Sequence, residues 1–336
     1  MSRPIRIGIM GFGRIGRNVF RITHPRDDIE VVAIVDVADP KGLEYLLKFD
    51  TVHGRFEEPV WIKGDSLYAE GRQIRILQAK APGDVDWSAF DVDVVVESTG
   101  KYRTRALLEK HLERGGKRVI LTVPPRDEIA LVVMGVNDHE LGPGTRIVSN
   151  ASCTANALAP ICKVLHSAFG IDRAFLTSVH AYTNDQRLAD VPHDEIRRSR
   201  AAAENIIPTT TFSPQVVERI VPELSGKLDG MALNVPVPDG SNADLVALMK
   251  RSVTAEEVNE VVRSAAATRF KGIIEYTDEP IVSSDVIGNF HSGVFDGLST
   301  QVLGGNLLKT VTWYDNGWGY ANRVVELAFK LAGFDR

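Results

Sequence analysis

Short, nearly continuous apolar runs alternate along the chain with stretches in which apolar residues return every third or fourth position. That is the pattern of strands alternating with helices. Ile5, Ile7, Ile9 and Met10 predict a first strand, and Val19, Phe20 and Ile22 a helix behind it. Residues 31–35 predict a second strand, ending at Asp36. Residues 60–61 and 74–77, around Gly64 and Gly71, predict a hairpin. The run 92–96 is apolar throughout but for Asp93, as expected of a parallel strand covered on both faces. A helix over 104–112, a strand over 118–121 and short strands at 131–134 and 147–148 continue the rhythm to about Asn150.

Beyond that point the pattern changes. Leu158, Ile161 and Leu165 predict a helix over 157–168, and 175–179 a strand leading to His180. Residues 187–211 show no period and hold Arg187, Arg197, Arg198 and Arg200; a segment so long and polar predicts an ordered functional loop. Strands over 231–236, 243–249 and 307–314, with a helix over 258–266, predict a mixed sheet, and 320–331 a final amphipathic helix. The expected division is therefore 1–150, 151–316 and a terminal helical piece, 317–336, without internal repeats.

The first strand runs into Gly11-Phe12-Gly13-Arg14-Ile15-Gly16. In a G-x-G-x-x-G between strand and helix, the first glycine allows the turn, the second admits a pyrophosphate and the third lets helix and strand pack closely. Asp36 follows at the distance expected of a carboxylate that accepts ribose hydroxyls. It would repel a 2′-phosphate, so the cofactor expected is NAD. The fold class is α/β, a Rossmann-type doubly wound domain followed by an α+β domain with a mixed sheet. Polar loops holding Thr99, Gly100 and Thr122 follow the strands at 92–96 and 118–121, where such sheets bind ligands.

In Ser149-Asn150-Ala151-Ser152-Cys153-Thr154-Ala155-Asn156 a cysteine opens a helix. There the helix dipole and free N–H groups favour thiolate over thiol. A buried cysteine in a capped helix start fits the same residues, and His180 alone fits a satisfied core histidine. Together with a nicotinamide domain they describe aldehyde oxidation: Cys153 adds to the carbonyl, His180 takes the proton, hydride passes to nicotinamide and a thioester remains.

Composition narrows the partners. With 44% hydrophobic and 25% charged residues the chain is globular, and 44 acidic against 39 basic residues give a net charge of −5. That balance supplies no attraction to nucleic acid or an anionic membrane, which leaves small molecules. The two cysteines, Cys153 and Cys162, fall in or beside one helix, where a disulfide would break it, so a reducing compartment fits. With no leader and no membrane-length apolar run, a cytoplasmic protein is expected.

Several segments in order resemble the glyceraldehyde-3-phosphate dehydrogenase family over nearly the whole chain. They are Gly11 to Arg17, Phe49-Asp50-Thr51-Val52-His53-Gly54-Arg55-Phe56, Ser149 to Thr154, His180-Ala181-Tyr182-Thr183, Ser283-Ser284-Asp285 and Trp313-Tyr314-Asp315-Asn316. The resemblance implies Cys153 as nucleophile, His180 as general base and Asn316 on the nicotinamide carboxamide. It implies a phosphorylated aldehyde, attack by inorganic phosphate, a homotetramer contacting through 187–211, and a final helix returning to the first domain. Ser152, Thr154, Thr183, Asp185, Arg198 and Thr211 match the family's two anion sites.

Two positions at the anion sites depart from the family, and Gly317, where glutamate is common, and Ala157, where a second cysteine is common, are smaller departures. Phe212 stands where glycine is usual, and Asn234 where arginine is usual. Loss of an arginine removes up to two charge-assisted hydrogen bonds, each worth roughly 1.5–3 kcal/mol, and Phe212 is expected to narrow or reshape the pocket. Arg198 or another basic side chain would offset the exchange if it is a tolerated one. Glyceraldehyde 3-phosphate is the default substrate; erythrose 4-phosphate or an unphosphorylated aldehyde is the alternative these positions motivate. A third reading, an NAD-binding redox sensor using Cys153 as an oxidisable thiol, is opposed by retention of both Cys153 and His180.

Overall fold

The structure is a computed structural model describing residues 3–335. These form two compact units: one from residues up to Val132, His139–Ala151 and Ala321 onward, the other from Val133–Asp138 and Ser152–Tyr320. No helix among the described residues is long and apolar enough to cross a membrane.

In chain order the first unit runs β1 (Ile5–Met10), α1 (Arg14–Thr23), β2 (Ile29–Asp36), α2 (Pro40–Lys48), the short pair β3 (Phe49–Asp50) and β4 (Gly54–Arg55), then β5 (Val60–Lys63), β6 (Ser66–Ala69) and β7 (Arg72–Gln78). There follow β8 (Val94–Glu97), α3 (Arg105–Glu113), β9 (Arg118–Leu121), β10 (Ala130–Leu131) and β11 (Ile147–Ser149). Nine of the strands form one sheet in the order β10-β11-β9-β8-β1-β2-β7-β6-β5. β1 pairs in parallel with both β2 and β8, so the winding reverses there, and the carboxyl ends of β1 and β8 make the switch point at which open α/β sheets bind ligands. Ile7, Ile9, Val95, Val96 and Ile120 are fully buried, as strands covered on both faces require.

Three local readings are corrected. The hairpin expected over 60–77 is a three-stranded meander, because Ser66–Ala69 forms a middle strand with Leu67 and Ala69 inward. The strand expected over 131–134 is confined to Ala130–Leu131. α2 was not expected: only Leu43 and Leu47 of its nine residues are buried, too few to mark a helical stripe, and its start rests on Asp39 accepting from the Lys41 N–H.

The second unit comprises α4 (Cys153–Phe169), β12 (Ile171–Ala181), β13 (Ile207–Thr209), α5 (Ser213–Ile220), β14 (Leu228–Val235), β15 (Ser241–Met249), α6 (Ala255–Ala267), β16 (Ile274–Thr277), β17 (Gly293–Leu303) and β18 (Leu307–Tyr314). Its seven-stranded sheet runs β13-β14-β12-β15-β18-β17-β16 and is mixed: β12 is parallel to β14 and antiparallel to β15. α4 buries Leu158, Ile161, Leu165 and Phe169. The helix α7 (Trp318–Gly333) starts here and belongs to the first unit from Ala321. Residues 187–211 are mostly irregular, with a short turn of helix at Ile196–Ser199 and the strand β13.

Candidate active site

In the first unit the glycine turn lies at the switch point. Gly11 stands at φ +92°, and a side chain there would meet the Thr99 nitrogen at 2.7 Å. A Cβ on Gly16 would fall 2.3 Å from the Gly11 oxygen. Gly13 is the opposite case: a Cβ there would meet nothing within 4 Å, and no side chain caps the start of α1. Its first N–H groups are thus open to an anion at the positive end of the helix. Arg14 and Ile15, half-buried, form the first turn. Phe12 is buried and offers a ligand only backbone, its N–H already donating to Asp36 Oδ2 at 2.7 Å; Asp36 Oδ1 accepts from Ala38 N at 3.0 Å.

Two neighbouring loops are tied to this turn. Ser98 Oγ donates to the Gly11 oxygen at 2.6 Å, and Thr122 donates both N–H and O–H to the Glu97 oxygen at 3.0 and 3.1 Å. Gly100 follows Thr99 with a left-handed backbone, φ +71°. An open glycine at an uncapped helix start, with a carboxylate at the end of the next strand, fits a dinucleotide.

In the second unit Cys153 is the first residue of α4, whose cap is Ser152: its Oγ accepts from Ala155 N at 3.1 Å. Cys153 Sγ lies 3.4 Å from His180 Nε2. The strand predicted to end at Val179 continues to Ala181, so His180 is held within the ladder, in register with Asn234 of β14. His180 Nδ1 is 2.6 Å from the Ala181 carbonyl oxygen. A carbonyl can only accept, so Nδ1 carries the proton and the Nε2 lone pair faces the thiol.

At this sulfur, effects that oppose the expected thiolate meet effects that favour it. Burial pushes the thiol up to about 11; the Thr154 N–H and hydroxyl pull it down, and the charge of Asp239 pushes it up again. Desolvation and the helix terminus therefore act in opposite directions on the sulfur, and the unprotonated Nε2 is placed to take its proton. Thr154 Oγ1 meets the buried Tyr314 hydroxyl at 2.8 Å, and Ser178 Oγ lies 3.3 Å from the same hydroxyl. Ser241 Oγ accepts from Ala181 N at 3.0 Å and donates to Asn316 Oδ1 at 2.9 Å, while Asn316 N donates to Asp239 at 3.1 Å.

Besides Thr154, the residues matched to anion sites fall into two groups. Ser152 and Thr211 converge on Ser213 Oγ, at 3.4 and 3.2 Å. Thr183 donates N–H and O–H to Gln186, and Asp185 pairs with Arg198. Arg198 also donates to Thr209 Oγ1 at 2.7 Å and lies 3.4 Å from Glu195, so two carboxylates already cover this cation. Asn234 is buried. Phe212, at the cap position of α5, is 73% exposed.

Ser178, Ser241, Asp239, Gln186 and Ser213 were missed by sequence reasoning. Ser178 and Ser241 are polar residues at inward positions of strands otherwise apolar inward, a legible signal. Asp239 and Ser213 lie in loops or at a helix start, where polar residues are ordinary.

Residues 5–105 match the family model described as glyceraldehyde 3-phosphate dehydrogenase, NAD binding domain, and residues 152–316 the one described as glyceraldehyde 3-phosphate dehydrogenase, C-terminal domain. Among curated relatives, the glyceraldehyde-3-phosphate dehydrogenase of Geobacillus stearothermophilus is 49% identical over 329 residues, covering 98% of each chain. That of Borreliella burgdorferi is 49% identical over 334 residues, 97% of this chain and 99% of the relative. That of Priestia megaterium is 49% identical over 329 residues, again 98% of each.

Proposed function

The chain belongs to the glyceraldehyde-3-phosphate dehydrogenase family, and from that premise we propose that it oxidises glyceraldehyde 3-phosphate to 1,3-bisphosphoglycerate with NAD and inorganic phosphate, through a thioester on Cys153. The observation that carries this reading is the 3.4 Å contact from Cys153 Sγ to a His180 Nε2 whose lone pair is fixed by the Ala181 carbonyl. Nε2 takes the thiol proton as sulfur bonds to the aldehyde carbon, and returns it to the carbonyl oxygen that becomes a hydroxyl. NAD, when bound, accepts the hydride that leaves this carbon. Nε2 accepts the hydroxyl proton as the C=O of the thioester forms, and phosphate then displaces the sulfur. Gly11, Gly13, Gly16 and the first turn of α1 receive the diphosphate, and Asp36 the adenosine ribose. Asn316, its Oδ1 occupied by Ser241, keeps its amide protons for the nicotinamide carboxamide.

Ser152, Thr154 and Thr211 with Ser213, and Thr183 with Arg198, receive the substrate phosphate and the attacking phosphate. Because Arg198 is covered by Asp185 and Glu195, and Asn234 supplies no charge, a second substrate reading stands beside the first: erythrose 4-phosphate or an unphosphorylated aldehyde. NADH formation measured on all three aldehydes, with and without inorganic phosphate, separates them. Turnover of the triose phosphate that requires phosphate supports the leading reading; none on it, with turnover of another aldehyde, overturns it.

Assembly into a homotetramer is supported by apolar side chains left in solvent. In 187–211 Leu188 is 89% and Ile196 85% exposed, and on the second sheet Phe175, Met231 and Leu307 share one open face. Light scattering on the purified chain gives the mass, and a monomer overturns the proposal. Two free cysteines suit a reducing compartment, and we assign the activity to the cytoplasm.

A further inference from the structure

Behind the cofactor turn, in the first unit, lies a chain of polar side chains with no contact with water: Trp87, His111 and Glu97 are each 0% exposed. Trp87 Nε1–H donates to His111 Nδ1 at 3.0 Å. Indole N–H can only donate, so Nδ1 is the unprotonated nitrogen and Nε2 carries the hydrogen. Nε2–H then donates to Glu97 Oε2 at 3.2 Å. The other carboxylate oxygen, Oε1, accepts from Thr99 twice, from its N–H at 2.9 Å and from its hydroxyl at 2.5 Å. Every polar atom in the series has a partner of the right kind, and each bond fixes the next. Thr99 is also the residue whose nitrogen limits Gly11, and its hydroxyl accepts from Lys101 N at 3.1 Å.

A buried carboxylate beside an imidazole gains little or nothing over apolar side chains of the same volume. The arrangement therefore needs a reason other than stability, and its one outlet toward the switch point is Thr99. We propose that Trp87, His111 and Glu97 are positioning residues for the cofactor loop, holding Thr99 and Gly100 where they meet NAD. Glu97 sets the backbone and hydroxyl of Thr99, His111 orients Glu97, and Trp87 selects the His111 tautomer that allows it. The proposal rests on the reading that the Thr99 loop contacts NAD.

The test is steady-state kinetics and NAD titration on the full chain. His111→Leu removes both hydrogen bonds and keeps the bulk; its KM for NAD is expected to rise about tenfold, equivalent to about 1.4 kcal/mol, with kcat within twofold. His111→Gln, whose amide both accepts from Trp87 and donates to Glu97, is expected to restore the wild-type KM. Glu97→Gln, which sets an amide donor against either Thr99 or His111, is expected to behave like His111→Leu. Where His111→Leu does not fold, Trp87→Phe, which removes one N–H, is expected to raise the KM for NAD by a smaller factor at unchanged kcat. Thr99→Ala separates the premise from the proposal: weaker NAD binding in it alone leaves the loop reading standing and overturns the relay. Unchanged KM in His111→Leu, or kcat and KM altered alike in the Leu and Gln variants, also overturns the relay. If Thr99→Ala binds NAD as the wild type does, the loop reading fails first.

Discussion

At the scale of single residues, the chemistry turns on which atom holds a proton. His180 has one nitrogen committed to a backbone carbonyl and the other 3.4 Å from a thiol that burial pushes up. His180→Asn is therefore expected to lower kcat by about 10²–10⁴-fold, the usual contribution of a general base. It is also expected to slow iodoacetamide alkylation of Cys153 at pH 7, because no unprotonated Nε2 remains to take the thiol proton. The rate of inactivation measures the second effect; a wild-type rate removes His180 as the proton acceptor. Cys153→Ser is expected to abolish the acyl-enzyme seen by mass spectrometry while leaving NAD binding intact, and substantial residual turnover would contradict its role. These two residues stood out in the sequence because one opens a helix and the other follows a strand-like run, though the strand in fact continues through His180. The thiol's protonation state was not legible. The helix start favours the thiolate and burial opposes it, and only the three-dimensional surroundings of the sulfur decide which is larger.

Among the elements, α1 follows the glycine turn of the first unit and α4 carries Cys153 in the second, and the two helices start differently. α4 is capped by Ser152, whereas α1 begins at a glycine with no cap, its N–H groups open. Ser152→Ala is expected to cost about 0.5–2 kcal/mol of stability, read as a lower urea midpoint. Gly16→Ala places a methyl 2.3 Å from the Gly11 oxygen, so NAD affinity measured by titration should fall with the far-UV spectrum unchanged; wild-type affinity would show that the turn tolerates the displacement. The parallel strands of the first unit could be read from sequence because burial on both faces makes them apolar throughout. α2 and β6 could not: two buried leucines make no stripe, and four residues of alternation are too few to establish a period. At Phe212 bulk in the sequence suggested a narrowed or reshaped pocket, and the residue stands exposed at the cap position before α5.

Over the whole molecule, acid stability and chain closure depend on contacts between distant segments. Asp93 would be pushed up by burial, but hydrogen bonds from Arg3, Lys117 and the Arg6 N–H hold it down at about 2. Because the folded value lies below the ordinary 3.8, the stabilisation is complete above about pH 4 and is lost as pH falls toward 2. Asp93→Asn should therefore lose about 2 kcal/mol at pH 7 and show a flatter stability profile between pH 4 and 2, measured by denaturant titration. At the other end of the chain, Asp335 pairs with the buried Arg118 at 2.6 and 2.7 Å, and Phe329 lies beneath Arg26. Val324, Val325, Leu327, Ala328 and Leu331 of α7 complete the apolar interior of the first unit. The ribosome makes most of this unit first and its closing helix last. At about 5–20 residues per second, on the order of ten seconds or more of synthesis separates the two, while the whole of Ser152–Tyr320 emerges. During that interval a nascent nucleotide-binding sheet waits with one apolar region uncovered, the stage of its life at which a chaperone has most to protect.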